Sequence, residues 1–324
     1  MRLGAYINPG GDLTAAVTLA RLAEQLDYES VWVTHGLGRD SFLVLAAYGA
    51  VTSRIGLGNG VVPIYPRHPV AMAQAALSLS EMTGGRFRLG IGVSHRSSIE
   101  AMLGLTVLDP LAVMREYVAV LRGALGAGAA FEGKYYRVHW SLALPTRPAA
   151  PPIYLAALGP KMCELAGEIA DGAMLWLCNP NYIRDVVVPE VTAGREAAGK
   201  SLDGFDIVAA VPSGIAEDRE KAFGAMRQEL LTYFSLPFYR TMIERSGYDG
   251  DIKAFDEAMA GGDADKAKAA ISDDFLEALT AIGSEDQVRA GIERYRDAGS
   301  TSPCIGGIPG SDFEATLGAA AELL

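Results

Sequence analysis

The feature that most constrains the fold is an alternation. Eight short apolar segments, residues 3–8, 30–35, 54–62, 87–94, 152–158, 172–178, 206–215 and 303–307, are each followed by helix-like spacing of apolar residues or by a longer excursion. Turn residues punctuate the joins: Pro9-Gly10-Gly11 after the first segment, Thr83-Gly84-Gly85 before the fourth, Gly199 and Gly299 at helix ends. Asp12 or Thr14 caps the first helix; others are expected at 41–51, 69–81, 109–125, from Pro160, and at 181–198, 285–297 and 312–324. Strands separated by helices must run parallel, because a parallel pair needs a crossover. Eight such units in 324 residues predict a (β/α)8 TIM barrel, one domain over 1–324, with a doubly wound open sheet as the alternative. Two stretches break the rhythm. Residues 132–140 predict a small β excursion after strand four, followed by a proline- and alanine-rich connector at 144–152. Residues 217–282 predict a mostly helical insert after strand seven, too long for one crossover.

A barrel puts function in the loops after its strands, so the question is what each strand end delivers. Strand three, from Arg54 to Pro63, carries Gly56, Gly58 and Gly60 in five positions. Glycine weakens a strand, so this spacing implies either a planar ring against the backbone or tight packing against a helix. Strand two ends at Thr34-His35-Gly36, where His35 can exchange a proton near neutral pH or hydrogen-bond its own loop. Arg67 and His68 precede a helix that begins at Pro69, a place for an anion or for an ordinary cap. Strand four ends in Gly90-Ile-Gly-Val93-Ser94-His95-Arg96, with polar groups at the rim but without the rest of a dinucleotide fingerprint. Strand five ends in Ala156-Ala157-Leu158-Gly159-Pro160-Lys161, where helix-start N–H groups and Lys161 suit a phosphate, or merely form a strand-to-helix turn. Trp176 after strand six either walls a ring pocket or fills the core. The aromatic run from Tyr233 to Tyr239 either lids the mouth or packs a turn inside the insert.

The bulk numbers exclude several classes. A net charge of -11 argues against a nucleic-acid partner, which needs a basic surface. Cys163, Cys178 and Cys304 are odd in number and far apart, which predicts free thiols in a reducing compartment and no metal site. The chain shows no signal-peptide pattern and no apolar run of membrane-spanning length, so a soluble cytoplasmic protein is expected. Nucleophile-elbow, P-loop, zinc and EF-hand motifs do not occur. The apolar face bearing Leu77 and Leu79 allows a homodimer interface or core packing.

Four linked motifs carry a resemblance. Thr83-Gly-Gly-Arg-Phe-Arg-Leu-Gly-Ile-Gly92 resembles the fourth-strand signature of the bacterial-luciferase-like flavin and deazaflavin oxidoreductases, and Thr52-Ser-Arg-Ile-Gly-Leu-Gly-Asn-Gly-Val61 the third-strand signature. Pro152-Ile-Tyr-Leu-Ala-Ala-Leu-Gly-Pro160 with Ala166-Gly-Glu-Ile-Ala-Asp-Gly172, and Ala197-Ala-Gly-Lys200, are similar to later stretches of the same superfamily. The branch most resembled uses coenzyme F-420 and is typified by methylenetetrahydromethanopterin reductase. The resemblance implies a TIM barrel with a deazaflavin at its C-terminal mouth and hydride transfer to or from a small organic substrate. It implies a strand-three bulge with a cis peptide at Gly60-Val61 behind the ring, so that Asn59, Gly60 and Val61 are coenzyme contacts. It places phosphate binding on Leu158, Gly159 and Pro160, with Val93 and Ser94 nearby and Ala156 and Lys161 flanking. The family's acid/base position falls at or beside His35, where many relatives carry Asp-His and this chain has Thr34-His35. His95 stands where an acidic residue is common, and is the second candidate for the proton. FMN in place of F-420, in a monooxygenase, and a non-catalytic flavin-binding protein are the alternatives.

Overall fold

In the computed structural model, which describes residues 2–36 and 38–324, the strands close into a parallel ring. The chain forms β1 (Gly4–Tyr6), β2 (Ser30–Val33), β3 (Gly56–Asn59), β4 (Val62–Pro63), β5 (Phe87–Gly92), β6 (Gly128–Glu132), β7 (Arg137–Ser141), β8 (Ile153–Ala156), β9 (Gly172–Leu175), β10 (Asp206–Ile215), β11 (Ala281–Gly283) and β12 (Ser302–Gly307). The ring runs β1-β2-β3-β5-β8-β9-β10-β12, and β12 pairs with β1 to close it, Gly4 opposite Cys304. This is the expected TIM barrel; the open-sheet alternative has no such closure.

Strand β3 does not run straight into β4. Leu57 and Gly58 pair with Phe87 and Arg88, whereas Val62 and Pro63 pair with Ile91 and Gly92. Between those pairings Asn59, Gly60 and Val61 face two residues, Leu89 and Gly90, which makes a β-bulge. The Gly60–Val61 peptide within it is cis, the geometry the resemblance implies for that bond.

The barrel carries two apolar layers. Between the ring and its helices lies the main core, from Leu3 and Val31 to Ile305 and Leu317. Leu77 and Leu79 belong to it, 1% and 3% exposed, so that helix face is turned inward rather than offered to a second copy. Inside the ring, Tyr6, Trp32, Tyr154, Met174, Val208, Ala210 and Cys304 form a separate plug, with Val61 and Trp176 on it. The glycines of β3 serve this plug. A methyl group at Gly58 would overlap the Trp32 indole, one at Gly60 would lie 2.6 Å from the Tyr6 ring, and one at Gly56 would meet the Arg88 guanidinium. Side chains of the barrel therefore fill the space that the sequence left to a planar ligand or a packed helix.

Three further details differ from expectation. The β excursion is a full antiparallel hairpin that starts at Gly128, because Gly-Ala-Ala is too small and flexible to register as a strand in isolation. The helix expected over 181–198 is a short turn at Pro180–Tyr182, a wider π segment at Ile183–Val187 and a regular helix at Val188–Ala197. Pro189 has no N–H for the carbonyl four residues earlier, and the chain takes up the defect in the wider turn. Within the stretch expected to be helical, β11 pairs with the end of β10, Ala281 opposite Ser213. Three residues are too few to show an alternating pattern. The remainder of the insert is helical, from Arg219–Phe234 to Asp273–Leu279.

Candidate active site

The C-terminal mouth gathers most of the residues the sequence singles out. His35 follows β2 and is half-buried. Its Nδ1 lies 3.0 Å from Ser41 Oγ, and the Ser41 N–H donates to the same nitrogen at 3.3 Å. Ser41 is fully buried at the start of the helix Ser41–Gly49, whose N-cap Asp40 accepts from the Phe42 N–H. Asn59, at the end of β3 and fully buried, donates its Nδ2 to Ser41 Oγ at 2.6 Å. Among the described residues Asn59 Oδ1 has no partner. Burial lowers the His35 pKa below 6.5; Asp40 acts to raise it and Arg67 to lower it further.

Beside this chain, the bulge turns Val61 onto β5. A side chain at Gly90 would collide with the Asn59 carbonyl oxygen and meet Met174 and Val61, and one at Gly92 would meet Val61. Ala156 at the end of β8 meets the same spot at Gly92, so Val61, Gly92 and Ala156 form one continuous floor. Just past β5, Ser94 holds a left-handed backbone with φ of 60°, and Leu177 just past β9 does likewise at 57°. Non-glycine residues adopt this conformation where surrounding structure demands it, commonly at functional sites. Val93 is half-buried and Ser94 exposed at this rim.

The aromatic run of the insert reaches the rim. Trp176 Nε1 donates to Tyr233 OH at 3.1 Å, and Trp176 stands edge-on to Tyr6 with ring centres 5.6 Å apart. Tyr233 contacts Tyr239 at 4.9 Å, and Tyr239 contacts His95 at 5.8 Å. The run is thus a bridge from the insert to strands β5 and β9, not a turn packed within the insert. His95 is half-buried with its pKa lowered by burial.

The anion-binding expectation is only partly met. Lys161 is 75% exposed and pairs with Glu164 on its own helix at 2.7 Å. Arg67 pairs with Asp40 at 2.7 Å, and Arg96 with Glu100 at 2.6 Å. Each cation thus has its own carboxylate. Gly159 caps the helix Pro160–Ile169 without a side-chain bond, but Pro160 has no N–H and the Met162 and Cys163 N–H groups donate to the Gly159 carbonyl at 3.0 Å, so the first turn leaves the Lys161 N–H alone for another acceptor. Tyr182 OH holds the Leu158 carbonyl at 2.8 Å. Sequence reasoning missed Ser41 altogether. A lone serine at a helix start reads as capping, and its link to His35 and Asn59 exists only in three dimensions.

A cleft of about 500 Å³ opens on the opposite, N-terminal face. Its charged lining is internally satisfied. Arg88 pairs with Glu29, and Glu24 accepts from the N–H groups of Ser53, Arg54 and Ile55. It is a solvent groove beneath the barrel, away from the strand ends that position chemistry. The described residues hold no His/Cys/Asp/Glu group suited to a metal ion, and the three cysteines are free and buried.

The sequence profile of the luciferase-like monooxygenase family matches residues 1–302. The chain belongs to this enzyme family. It is similar to the 5,10-methylenetetrahydromethanopterin reductase of Methanolobus tindarius, with 30% identity over 321 residues, 98% of this chain and 97% of the relative. It is also 30% identical over 306 residues to a putative coenzyme F-420-dependent oxidoreductase of Mycobacterium tuberculosis, covering 87% of this chain and 88% of the relative. Among solved structures, the coenzyme F-420-dependent tetrahydromethanopterin reductase of Methanopyrus kandleri superposes with a TM-score of 0.83 at 27% identity, covering 99% of this chain and 97% of that one. None of the helices described is long and apolar enough to cross a membrane.

Proposed function

We propose that this chain is a coenzyme F-420-dependent oxidoreductase. It moves a hydride between the deazaflavin and a small electrophilic organic substrate, with His35 as the proton relay. The observation that carries the reading is the bulge at Asn59–Val61, which sets a flat floor of Val61, Gly92 and Ala156 beside a half-buried histidine. The F-420 dependence in the names of two relatives supports this coenzyme over FMN. The residues present fit such a group. Asn59 Oδ1 is a buried acceptor at the same floor, without a partner among the described residues. When bound, the coenzyme supplies the hydride. The backbone of Asn59, Gly60 and Val61 would back its ring, and backbone N–H groups of Val93, Ser94 and Lys161, beside the Leu158–Pro160 turn, would meet its anionic tail. The bridge from Trp176 through Tyr233 and Tyr239 to His95 excludes water and walls the substrate. His35 orients and protonates the substrate, and His95 lines the far wall.

A titration with F-420 and with FMN, followed by quenching of the rim Trp176, tests the coenzyme. Saturable F-420 binding and F-420-linked turnover are expected. Tight FMN binding with oxygen consumption would replace this reading by a monooxygenase; F-420 binding with no redox change across carbonyl and imine acceptors would leave a binding protein. The variant His35→Asn is expected to slow turnover by about 100-fold with nearly unchanged coenzyme affinity. Unaltered turnover removes His35 from the chemistry.

A further inference from the structure

We propose that Ser41 and Asn59 are positioning residues that fix His35 as the neutral tautomer with its proton on Nε2, so that the ring meets the substrate as a donor and takes up no second proton at neutral pH. The proposal rests on His35 lying at the reacting end of the site.

Three contacts determine the tautomer. The Ser41 N–H faces His35 Nδ1 at 3.3 Å, and a backbone N–H has only a proton to give. Nδ1 therefore presents its lone pair. The Ser41 hydroxyl lies 3.0 Å from the same atom and itself receives Asn59 Nδ2 at 2.6 Å. With that acceptor position filled by an amide, the hydroxyl proton is free to point at Nδ1. Ser41 and Asn59 are both fully buried, so water does not compete for these bonds. The ring proton is left on Nε2, the nitrogen turned away from Ser41.

The surroundings oppose a second proton. Ser41 opens the helix Ser41–Gly49, and the positive end of its dipole lies against the imidazole. The charged groups that act on the ring are Asp40 on this helix start and Arg67 from the loop after β4. They are 2.7 Å apart and neutralise each other. A neutral imidazole releases its proton only to a strongly basic centre. The relay is thereby narrowed to donation from Nε2 toward the atom on which charge develops, which leaves an imidazolate held at Nδ1 by the Ser41 N–H and hydroxyl until Nε2 regains a proton from water. Asn59 Oδ1, without a partner among the described residues, leaves the amide free of any bond that would force Nδ2 away from Ser41.

The test uses the full chain labelled with 15N-histidine. There are four histidines, and the signal lost in His35→Asn assigns the one of interest. The 1H–15N correlations are expected to show His35 protonated on Nε2 with Nδ1 as acceptor at pH 8, with a titration midpoint below 6.5. In Ser41→Ala the backbone N–H still faces Nδ1, so the Nε2–H form is expected to stay the major tautomer while the Nδ1–H form becomes detectable and the ring titrates closer to 6.5, with kcat down about tenfold and coenzyme affinity unchanged. In Asn59→Asp the carboxylate accepts the Ser41 hydroxyl proton, the hydroxyl oxygen turns to accept from Nδ1–H, and kcat gains a pH dependence. A proton on Nδ1 in the unmodified protein, or its ordinary titration there, overturns the proposal, as does a Ser41→Ala spectrum identical to the parent's. Should Asn59→Asp fail to fold, the parent and Ser41→Ala spectra decide. The spectra need neither coenzyme nor substrate, so a failure of F-420 binding is read separately from a failure of the tautomer assignment.

Discussion

The two ends of the barrel are built from the same strands and behave as opposites. At the N-terminal end, polar groups are matched to one another. Asp206 at the start of β10 accepts from Tyr154 OH, Thr301 Oγ1 and Ser302 Oγ at 3.1, 2.5 and 2.7 Å, and Arg88 grips Glu29 with both terminal nitrogens. At the C-terminal end, Asn59 and Asn179 each keep a buried amide atom without a partner among the described residues; left-handed backbone occurs at both ends, in Ser94 and Leu177 here and in Asp27 at the other. His35 and His95 lie half-buried at the C-terminal end. The plug of Tyr6, Trp32, Tyr154 and Met174 separates the two ends. Closed polar networks belong to the end that holds the ring together, and unmet polar groups to the end that meets ligands.

If the division is real, damage below the plug should affect stability and damage above it should affect kinetics. The largest effect is expected from Asp206→Ala. It strands two buried donors, Tyr154 OH and Ser302 Oγ, along with the exposed Thr301 hydroxyl, and removes a carboxylate that is 3% exposed, at a loss of roughly 3–5 kcal/mol. The melting temperature should fall sharply, while the folded fraction binds coenzyme as before; weakened binding by the folded protein would break the division. Next in size is Tyr233→Phe, which removes the acceptor of Trp176 Nε1. A loss of about 1 kcal/mol or less in stability is expected, with a severalfold rise in KM and little change in the melting temperature. An unchanged KM would cut the insert out of the substrate wall.

The smallest effect is the dependence of stability on pH, and it separates the two ends by window. His35 and His95 have folded-state pKa values lowered by burial. Their contribution is present above the unfolded value of 6.5 and is lost as pH falls below it, because the unfolded chain takes protons first. For Glu29, burial acts to raise the carboxyl, but the Arg88 bonds outweigh it and the net shift is downward from 4.5. Its contribution is lost only as pH falls below that value. Urea midpoints measured from pH 8 to 3 should show a shallow decline below 6.5 from the mouth and a steeper one below 4.5 from the base. A single acid transition near 4.5 alone would mean that the rim histidines are solvated.

Much of the ring was legible because alternation is a property of the chain itself. Residues 206–215 coincide with β10, and Pro69 and Pro160 mark helix starts. The rim positions of His35, Asn59, Val61 and Ser94 followed from counting strands. What stayed hidden depends on partners distant in sequence. The glycines of β3 looked like a platform for a ligand, yet Gly58 answers Trp32 and Gly60 answers Tyr6. Lys161, Arg67 and Arg96 looked like free cations until Glu164, Asp40 and Glu100 were found beside them. Ser41 and the reach of Tyr239 to His95 have no local signature, since neither depends on periodicity or turn chemistry.

The pairing of β11 with the tail of β10 sets one more property. The chain leaves the ring at Ile215 and comes back with Gly283 opposite that same residue. Exit and return are adjacent, so the intervening helices join the barrel covalently at a single point, and only side-chain contacts such as Tyr233 to Trp176 and Tyr239 to His95 tie them to the rest of the rim. Changing the length of that segment leaves the spacing of its two ends untouched, and loop length itself adds little to the entropy of closure. The site is thus divided between a fixed frame and an exchangeable cover, and a cover from another barrel of this family could be transplanted at the Ile215–Gly283 junction without resetting strand register.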